Sequence, residues 1–325
     1  MESKQPRESR QEATAETPAR DFVGYGNQPL DFTWPGGAKL AINVVLNIEE
    51  GSERSHYFGD FANEPSWESH REFPNQVRDL MAESIFEYGS RRGAHRILDV
   101  LDRFNVPATM FASAVALEAN PPLLSRLMSS RHEICGHGWR WTQAWELSRE
   151  EESQHIVNAI NLFQELTGQR PQGWYSRYSP SVHTRELLVE HGFSYDSDAY
   201  NDDLPFYTQV GEVAHLVVPY TATYNDTKFA QSIGSPSGFL DLLVRAVNFL
   251  LAEGASEPKM LSIGLHARMM GQAARADVLR EFLEHCQQFG SEVWFARRDE
   301  IASFWRDAFP PGQLLAPRLV GERGE

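Results

Sequence analysis

The stretch KLAINVVLNIEE, Lys39–Glu50, decides the fold. Ile42, Val44, Leu46 and Ile48 fall on one face of a strand, and Asn43, Val45, Asn47 and Glu49 on the other, because successive strand side chains point to opposite sides. One face is wholly apolar. The other carries amides and ends on a carboxylate. KMLSIGLH at Lys259–His266 repeats the pattern, with Leu261, Ile263 and Leu265 set against Ser262, Gly264 and His266. Where a parallel sheet curls inside a ring of helices, the face that meets the helices must be apolar, so the small and polar faces are the inner ones. This phase puts Glu49 and His266 inside, at the C-terminal strand ends where βα barrels place their sites. Glu50 is expected to point outward unless the strand ends before it.

Outward from these two stretches, short apolar runs alternate with longer helical patterns. Further strands are expected at 108–114, 133–138, 173–176, 194–198, 216–219 and 292–296. Helices are expected near 85–104, 121–129, 148–167, 182–190, 237–252, 274–288 and 298–308. Ser148 with Glu151 forms a capping box and Gly168 closes the same helix, while Asn105-Val-Pro107 and Gly254 close others. This alternation is that of an α/β fold with a parallel sheet, and seven or eight units suit a barrel better than an open sheet. Residues 1–20 are polar without periodicity and read as a disordered tail. One domain is expected over 21–309, followed by an irregular tail over 310–325.

Composition narrows the function. The 325 residues are 41% apolar and 11% aromatic, a globular balance, with a formal net charge of −15. Such acidity lacks the electrostatic footprint of a nucleic-acid binder and the basic segment that anionic membranes attract. No apolar run reaches the ~18 residues of a membrane helix, and the N-terminal residues show no apolar signal segment. A cytoplasmic location is the expectation. Two cysteines, Cys135 and Cys286, cannot build a disulfide framework or a thiolate zinc cluster and are expected to be buried, inert thiols.

Two further segments carry chemistry. In Arg131-His-Glu-Ile-Cys-Gly-His-Gly-Trp-Arg-Trp141 a histidine, His137, sits between glycines, where backbone can approach a ligand closely. Trp139, Trp141 and Trp145 follow. Gly173-Trp-Tyr-Ser-Arg177 brings Trp174, Tyr175 and Arg177 to another strand end, and Arg suits bidentate recognition of planar carboxylate or amide groups. Taken singly, a strand-end Glu is ordinarily a solvated cap, a lone His a hydrogen-bonded core residue, and a Trp core filling. Asp196, Asp198, Asp202 and Asp203 look like loop caps, and His56 and His70 look exposed. Co-occurrence at strand ends is what singles out Glu49, Glu50, His137 and His266.

The ordered set Asn47-Ile-Glu-Glu-Gly51, His132-Glu-Ile-Cys-Gly-His-Gly-Trp-Arg-Trp141, Gly173-Trp-Tyr175, Tyr195-Asp-Ser-Asp198, Asp202-Asp-Leu-Pro205 and Leu261-Ser-Ile-Gly-Leu-His266 resembles the polysaccharide deacetylase (NodB-type) superfamily, and within it the metal-independent allantoinases. Gly24-Tyr-Gly26, Trp34-Pro-Gly36, Tyr88-Gly-Ser-Arg91 and Val293-Trp-Phe-Ala-Arg297 fit the same subgroup. The resemblance implies a deformed (β/α) barrel with about seven parallel strands. By the same resemblance Glu49 matches the general-base Asp, Glu50 a metal-ligand Asp, His137 the first metal His and His266 the late-strand catalytic His. Trp141 stands where the second metal His would be, so no metal and no other cofactor is expected. The subgroup's Gly-Arg step is here Ser176-Arg177.

What the resemblance implies chemically is hydrolytic ring opening of a small cyclic amide, allantoin to allantoate, by a homo-oligomer such as a tetramer. Glu49 or Glu50 would be the base, its pKa raised by burial. His137 and His266 would stabilise the oxyanion and protonate the leaving nitrogen. Trp139, Trp141, Trp174, Tyr175, Arg177 and Arg268 would hold the substrate. The rivals are a cyclic imide or dihydropyrimidine-like hydrolase, a carbohydrate N-deacetylase with zinc on Glu50, His137 and a replacement ligand such as His56, and an inactive ligand-binding homologue.

Overall fold

β1 spans Leu40–Ile48 and is buried along its whole length, the two faces meeting different cores. The structure is a computed structural model that describes residues 20–26, 30–65, 73–231 and 234–311. Most of the two expected tails, and His70, lie outside the described residues. After β1 come α1 (Leu80–Tyr88), α2 (Ala94–Arg103), β2 (Thr109–Ala112), α3 (Ala114–Glu118), α4 (Pro121–Met128), β3 (Glu133–Gly136), α5 (Arg149–Thr167), β4 (Gly173–Trp174), α6 (Thr184–Glu190) and β5 (Tyr195–Asp196). The chain continues through β6 (Phe206–Val210), β7 (Val213–Val217), α7 (Lys228–Gln231), α8 (Pro236–Glu253), β8 (Lys259–His266), α9 (Ala267–Met270), α10 (Ala273–Gln287), β9 (Val293–Phe295) and α11 (Arg298–Ala308).

The strands form one curled sheet in the order β6-β7-β5-β4-β3-β2-β1-β8, with β9 also on β1. All pairings are parallel except β6 with β7. This is the half-barrel form of the deformed (β/α) barrel that the sequence implied. The registers Asn43↔Ser262 and Asn47↔His266 set the polar faces of β1 and β8 side by side.

Alternation produces the two cores. Ile42, Val44, Leu46, Leu261, Ile263 and Leu265 face outward onto Leu98, Phe163, Phe239 and Phe282 of the surrounding helices. Ala41, Val45, Phe111, Cys135 and Tyr175 face inward, where Trp34, Ile301 and Trp305 close one end of the barrel. At that end Arg298 is wholly buried. Its guanidinium donates to Asn43 Oδ1, Ser197 Oγ, Ser262 Oγ and the Val218 and Pro219 carbonyls, so a buried charge is fully hydrogen-bonded, as burial requires. This packing fills the floor of the curled sheet.

Local signals account for several boundaries. The Ser148 Oγ accepts from Glu151 N, the Glu151 carboxylate accepts from Ser148 N, and Gly168 takes φ 74° at the C-cap. The helix expected from residue 85 begins at Leu80 instead, because Asp79 caps it by accepting from Met81 N and Ala82 N. Leu80 and Met81 are exposed, so apolar periodicity misses the first turn. β6 was also missed; it forms a hairpin with β7 around Gly211 at φ 56°. Cys135 and Cys286 are both buried and unpaired. No helix among the described residues is long and apolar enough to cross a membrane.

Gly173 lies where β4 crosses the Tyr195 ring, and a Cβ there would collide with it. Gly173→Ala is expected to cost ~1–3 kcal/mol by overpacking, a fall of a few degrees in Tm. An unchanged Tm in a thermal melt would contradict this packing.

Candidate active site

β1 delivers Glu49 to the C-terminal end of the sheet and then stops. Gly51 adopts φ 95°, and Ser52 donates from both N and Oγ to the Glu49 carbonyl, at 3.0 and 2.6 Å. The turn buries Glu49 and Glu50 together, each 2% exposed. The strand has ended before Glu50, whose buried carboxylate lies against Gly89 and accepts from Glu49 N at 3.3 Å and Arg268 N at 3.0 Å.

His137 extends the β3 ladder by donating from its backbone N to Ala112 O at 2.9 Å. Gly138, at φ 100° and with no room for a Cβ against Arg140 O, turns the chain immediately afterwards. The His137 ring lies 5.1 Å from Tyr175 at 15°, and its Nδ1 is 2.8 Å from the Tyr175 carbonyl. A carbonyl only accepts, so Nδ1 carries the proton and Nε2 is turned toward Glu49 Oε1 at 3.4 Å. His266 mirrors this arrangement. Its Nδ1 meets Asp226 Oδ1 at 2.6 Å, its backbone N donates to Asp226 Oδ2 at 2.7 Å, and its Nε2 faces the same Glu49 Oε1 at 3.5 Å. The other Glu49 oxygen, Oε2, accepts from Arg268 Nη1 at 2.8 Å.

The electrostatics follow from these contacts. Burial alone would raise the Glu49 pKa, but His266 and Arg268 overcome it and hold the carboxyl well below the usual range. That reverses the expectation from sequence, in which burial raised it. Glu50 is the group pushed up, to about 7, by burial and by the charge of Glu49 against the pull of Arg268. Burial would lower the His266 pKa, yet Glu49 and Asp226 raise it. The shielded setting strengthens every one of these interactions.

The structure sorts the sequence-predicted residues. It brings together Glu49, Glu50, His137, His266, Arg268, Trp141 and Tyr175. Trp141 is 4% exposed, with the Arg177 guanidinium carbon 3.7 Å and that of Arg268 5.4 Å from its ring centroid. Its Nε1 has no acceptor among the described residues. Trp174 and Trp139 are corrections: strand alternation sends Trp174 into the outer core against Gly136 and Phe193, and Trp139 packs on that core beside His155. Arg177 is buried, and its Nη atoms donate to Glu64 and to the Trp141 carbonyl. It buttresses Trp141 instead of offering a free fork to a ligand.

Asp196 accepts from Asp198 N at 2.9 Å, a local cap, but it is no loop residue. It lies on β5, fully buried, and pairs with Arg185 and His215. Asp202 does cap its own turn, accepting from Leu204 N. Asp226 was missed from sequence; it sits in Tyr224-Asn-Asp226, a turn with no periodicity to flag it. A cavity of about 320 Å³ opens at the opposite, N-terminal ends of β3 and β4 beside Arg131, Glu133 and Arg297.

The residues do not fit a divalent metal. No three His, Cys, Asp or Glu side chains among the described residues are grouped as a metal site. His56 turns its Nε2 to the Asn75 carbonyl at 2.6 Å and so does not serve as a replacement ligand. An indole stands at Trp141, and the cation beside both carboxylates is already Arg268.

Comparison with known proteins agrees with this picture. The polysaccharide deacetylase family model matches residues 75–195. A Schizosaccharomyces pombe protein named "Putative polysaccharide deacetylase" is 33% identical over 315 residues, 90% of this chain and 98% of its own. The crystal structure of a "probable Polysaccharide deacetylase" from Pseudomonas aeruginosa PAO1 superposes with TM-score 0.85 at 43% identity, covering 90% of this chain and 99% of that one. PuuE allantoinase superposes with TM-score 0.85 at 41% identity, covering 90% and 98%. The chain belongs to the polysaccharide deacetylase family and is a hydrolase of that fold.

Proposed function

We propose that the protein opens a small cyclic amide by hydrolysis without a metal, with allantoin giving allantoate as the reaction. The observation that carries this reading is the convergence of His137 Nε2 and His266 Nε2 on one oxygen of Glu49 while Arg268 holds the other. A water placed there has acceptors and a proton donor fixed around it, and a strained planar ring amide is a target that does not require a Lewis acid. The likeness to PuuE allantoinase points to the same substrate class.

In this reading the water gives one hydrogen to Glu49 Oε1. The other goes to Nε2 of His137, whose Nδ1–H is committed to the Tyr175 carbonyl. In this reading His137 is an acceptor in place of the oxyanion donor expected from sequence, its Nδ1–H on the Tyr175 carbonyl leaving Nε2 to accept. As the water oxygen bonds to the ring carbonyl carbon, Glu49 takes its proton. Protonated His266, kept so by Glu49 and Asp226, gives its Nε2 proton to the leaving nitrogen as the C–N bond breaks. The proton on Glu49 then returns across 3.5 Å to His266, and the site is reset. Trp141 Nε1, buried without an acceptor among the described residues, is a donor that a ring or ureido carbonyl satisfies. An unmet buried donor costs ~1–3 kcal/mol.

The reading is tested by product detection on allantoin, hydantoin, succinimide, dihydrouracil and an N-acetylglucosamine oligomer, each with and without chelator. Chelator-insensitive turnover of allantoin is expected; activity on the sugar alone overturns the reading, and activity confined to succinimide or dihydrouracil moves the substrate to another cyclic amide. Glu49→Gln should lower kcat ~10²–10⁴-fold, and near-normal turnover removes it from the base role. Because Asp226 raises the His266 pKa, the alkaline limb of kcat lies above the free-imidazole value, and Asp226→Asn should move it to lower pH. A limb that stays put separates His266 from the acid role. Trp141→Phe keeps the ring and removes the N–H; KM should rise about tenfold with a smaller change in kcat, and an unchanged KM removes Trp141 from substrate recognition.

A further inference from the structure

Two adjacent carboxylates, Glu49 and Glu50, are buried at the end of β1. Ionised groups withdrawn from water cost several kcal/mol each unless a counter-ion and hydrogen bonds compensate. Arg268 is that counter-ion. Its Nη1 lies 2.8 Å from Glu49 Oε2 and 3.7 Å from Glu50 Oε1, and its backbone N donates to Glu50. The guanidinium is also held by rings, with its carbon 4.6 Å from the Phe86 centroid and 5.4 Å from that of Trp141.

The backbone around it is just as fixed. A π-turn over Gly89–Gly93 joins α1 to α2 and packs on α9, the element that bears Arg268. A Cβ at Gly89 would strike the Glu50 carboxylate and one at Gly93 the Ala267 carbonyl. Such π-turns are frequent at functional sites. An arginine has five N–H donors; among the described residues only Glu49 meets the side chain within hydrogen-bond distance, and neither Nε nor Nη2 is a sealed, orphaned atom. Donors are therefore left over beside the carboxylate that meets both imidazoles.

The two imidazoles are poor candidates for the oxyanion. His137 would have to be doubly protonated to donate from Nε2, and His266 spends its proton on the leaving nitrogen. We propose that Arg268 is the catalytic cation of this site: its guanidinium supplies the positive charge beside Glu49 and Glu50, and its spare N–H donors receive the oxyanion. The inference rests on the ring-opening reading for its substrate, while the place of the cation stands on geometry alone.

Arg268→Ala and Arg268→Lys test it in the full-length chain, with zinc and guanidinium ions as probes. In Arg268→Ala, kcat should fall ~10²–10³-fold, the usual loss of an oxyanion donor, and added guanidinium should restore part of it. Arg268→Lys keeps the charge but not the fork, so it should lose kcat with little change in KM. Zinc titrated calorimetrically should not bind wild type near stoichiometry. Full turnover in either variant, rescue-free loss in folded Arg268→Ala, or stoichiometric zinc on wild type with unchanged turnover each overturns the proposal. If Arg268→Ala does not fold, the kcat-against-KM split of Arg268→Lys decides. The zinc arm needs no substrate, so failure of the allantoin reading is distinguishable from failure of this one.

Discussion

The contact between the Arg268 guanidinium and the Glu49 carboxylate is the constraint on which the rest of the site depends. It offsets the burial of an acidic pair, keeps Glu49 ionised, and leaves a single carboxylate oxygen facing the two imidazoles. Without that cation the two carboxylates would repel one another across a shielded space, where charge interactions are strong. Glu50 shows the strain: its pKa is pushed to about 7 even with Arg268 beside it.

Both imidazoles are oriented from behind by groups that the sheet itself places. The Tyr175 carbonyl on the strand next to His137, and Asp226 in the turn bridged to β8 at Gly264, take the Nδ1 protons. Both rings are thus oriented through Nδ1, and the second proton on His266 is favoured by the two carboxylates that face it, Glu49 and Asp226. The same register brings Asn47 beside His266 and lets its amide brace Tyr220 and the Leu265 carbonyl.

Much of this was legible in Lys39–Glu50 and Lys259–His266, because period-two alternation against an apolar outer layer leaves little freedom: a slip of one residue would turn every side chain to the other face. The inward placement of Glu49 and His266 followed from that alone. What was hidden depends on short elements and on contacts distant in sequence. α9 is four residues long, too short for periodicity to announce, so that Arg268 was named from sequence as a substrate contact and not as the partner of Glu49. Asp226 sits in an irregular turn. Trp139 and Trp174 read as ligand contacts because aromatic residues cluster in the sequence there, yet the same alternation that placed Glu49 sends Trp174 to the outer core. The sign of the Glu49 pKa shift was misjudged because burial was visible in the sequence and the pairing of Arg268 with Glu49 was not.

The most direct test of this account is a crystal structure of the wild-type protein from crystals soaked in excess zinc, with anomalous scattering recorded at the zinc edge. The account predicts a planar guanidinium between Glu49 and Glu50 and no anomalous peak there. A strong peak bound by Glu49, His137 and His266, with Arg268 displaced, would contradict it.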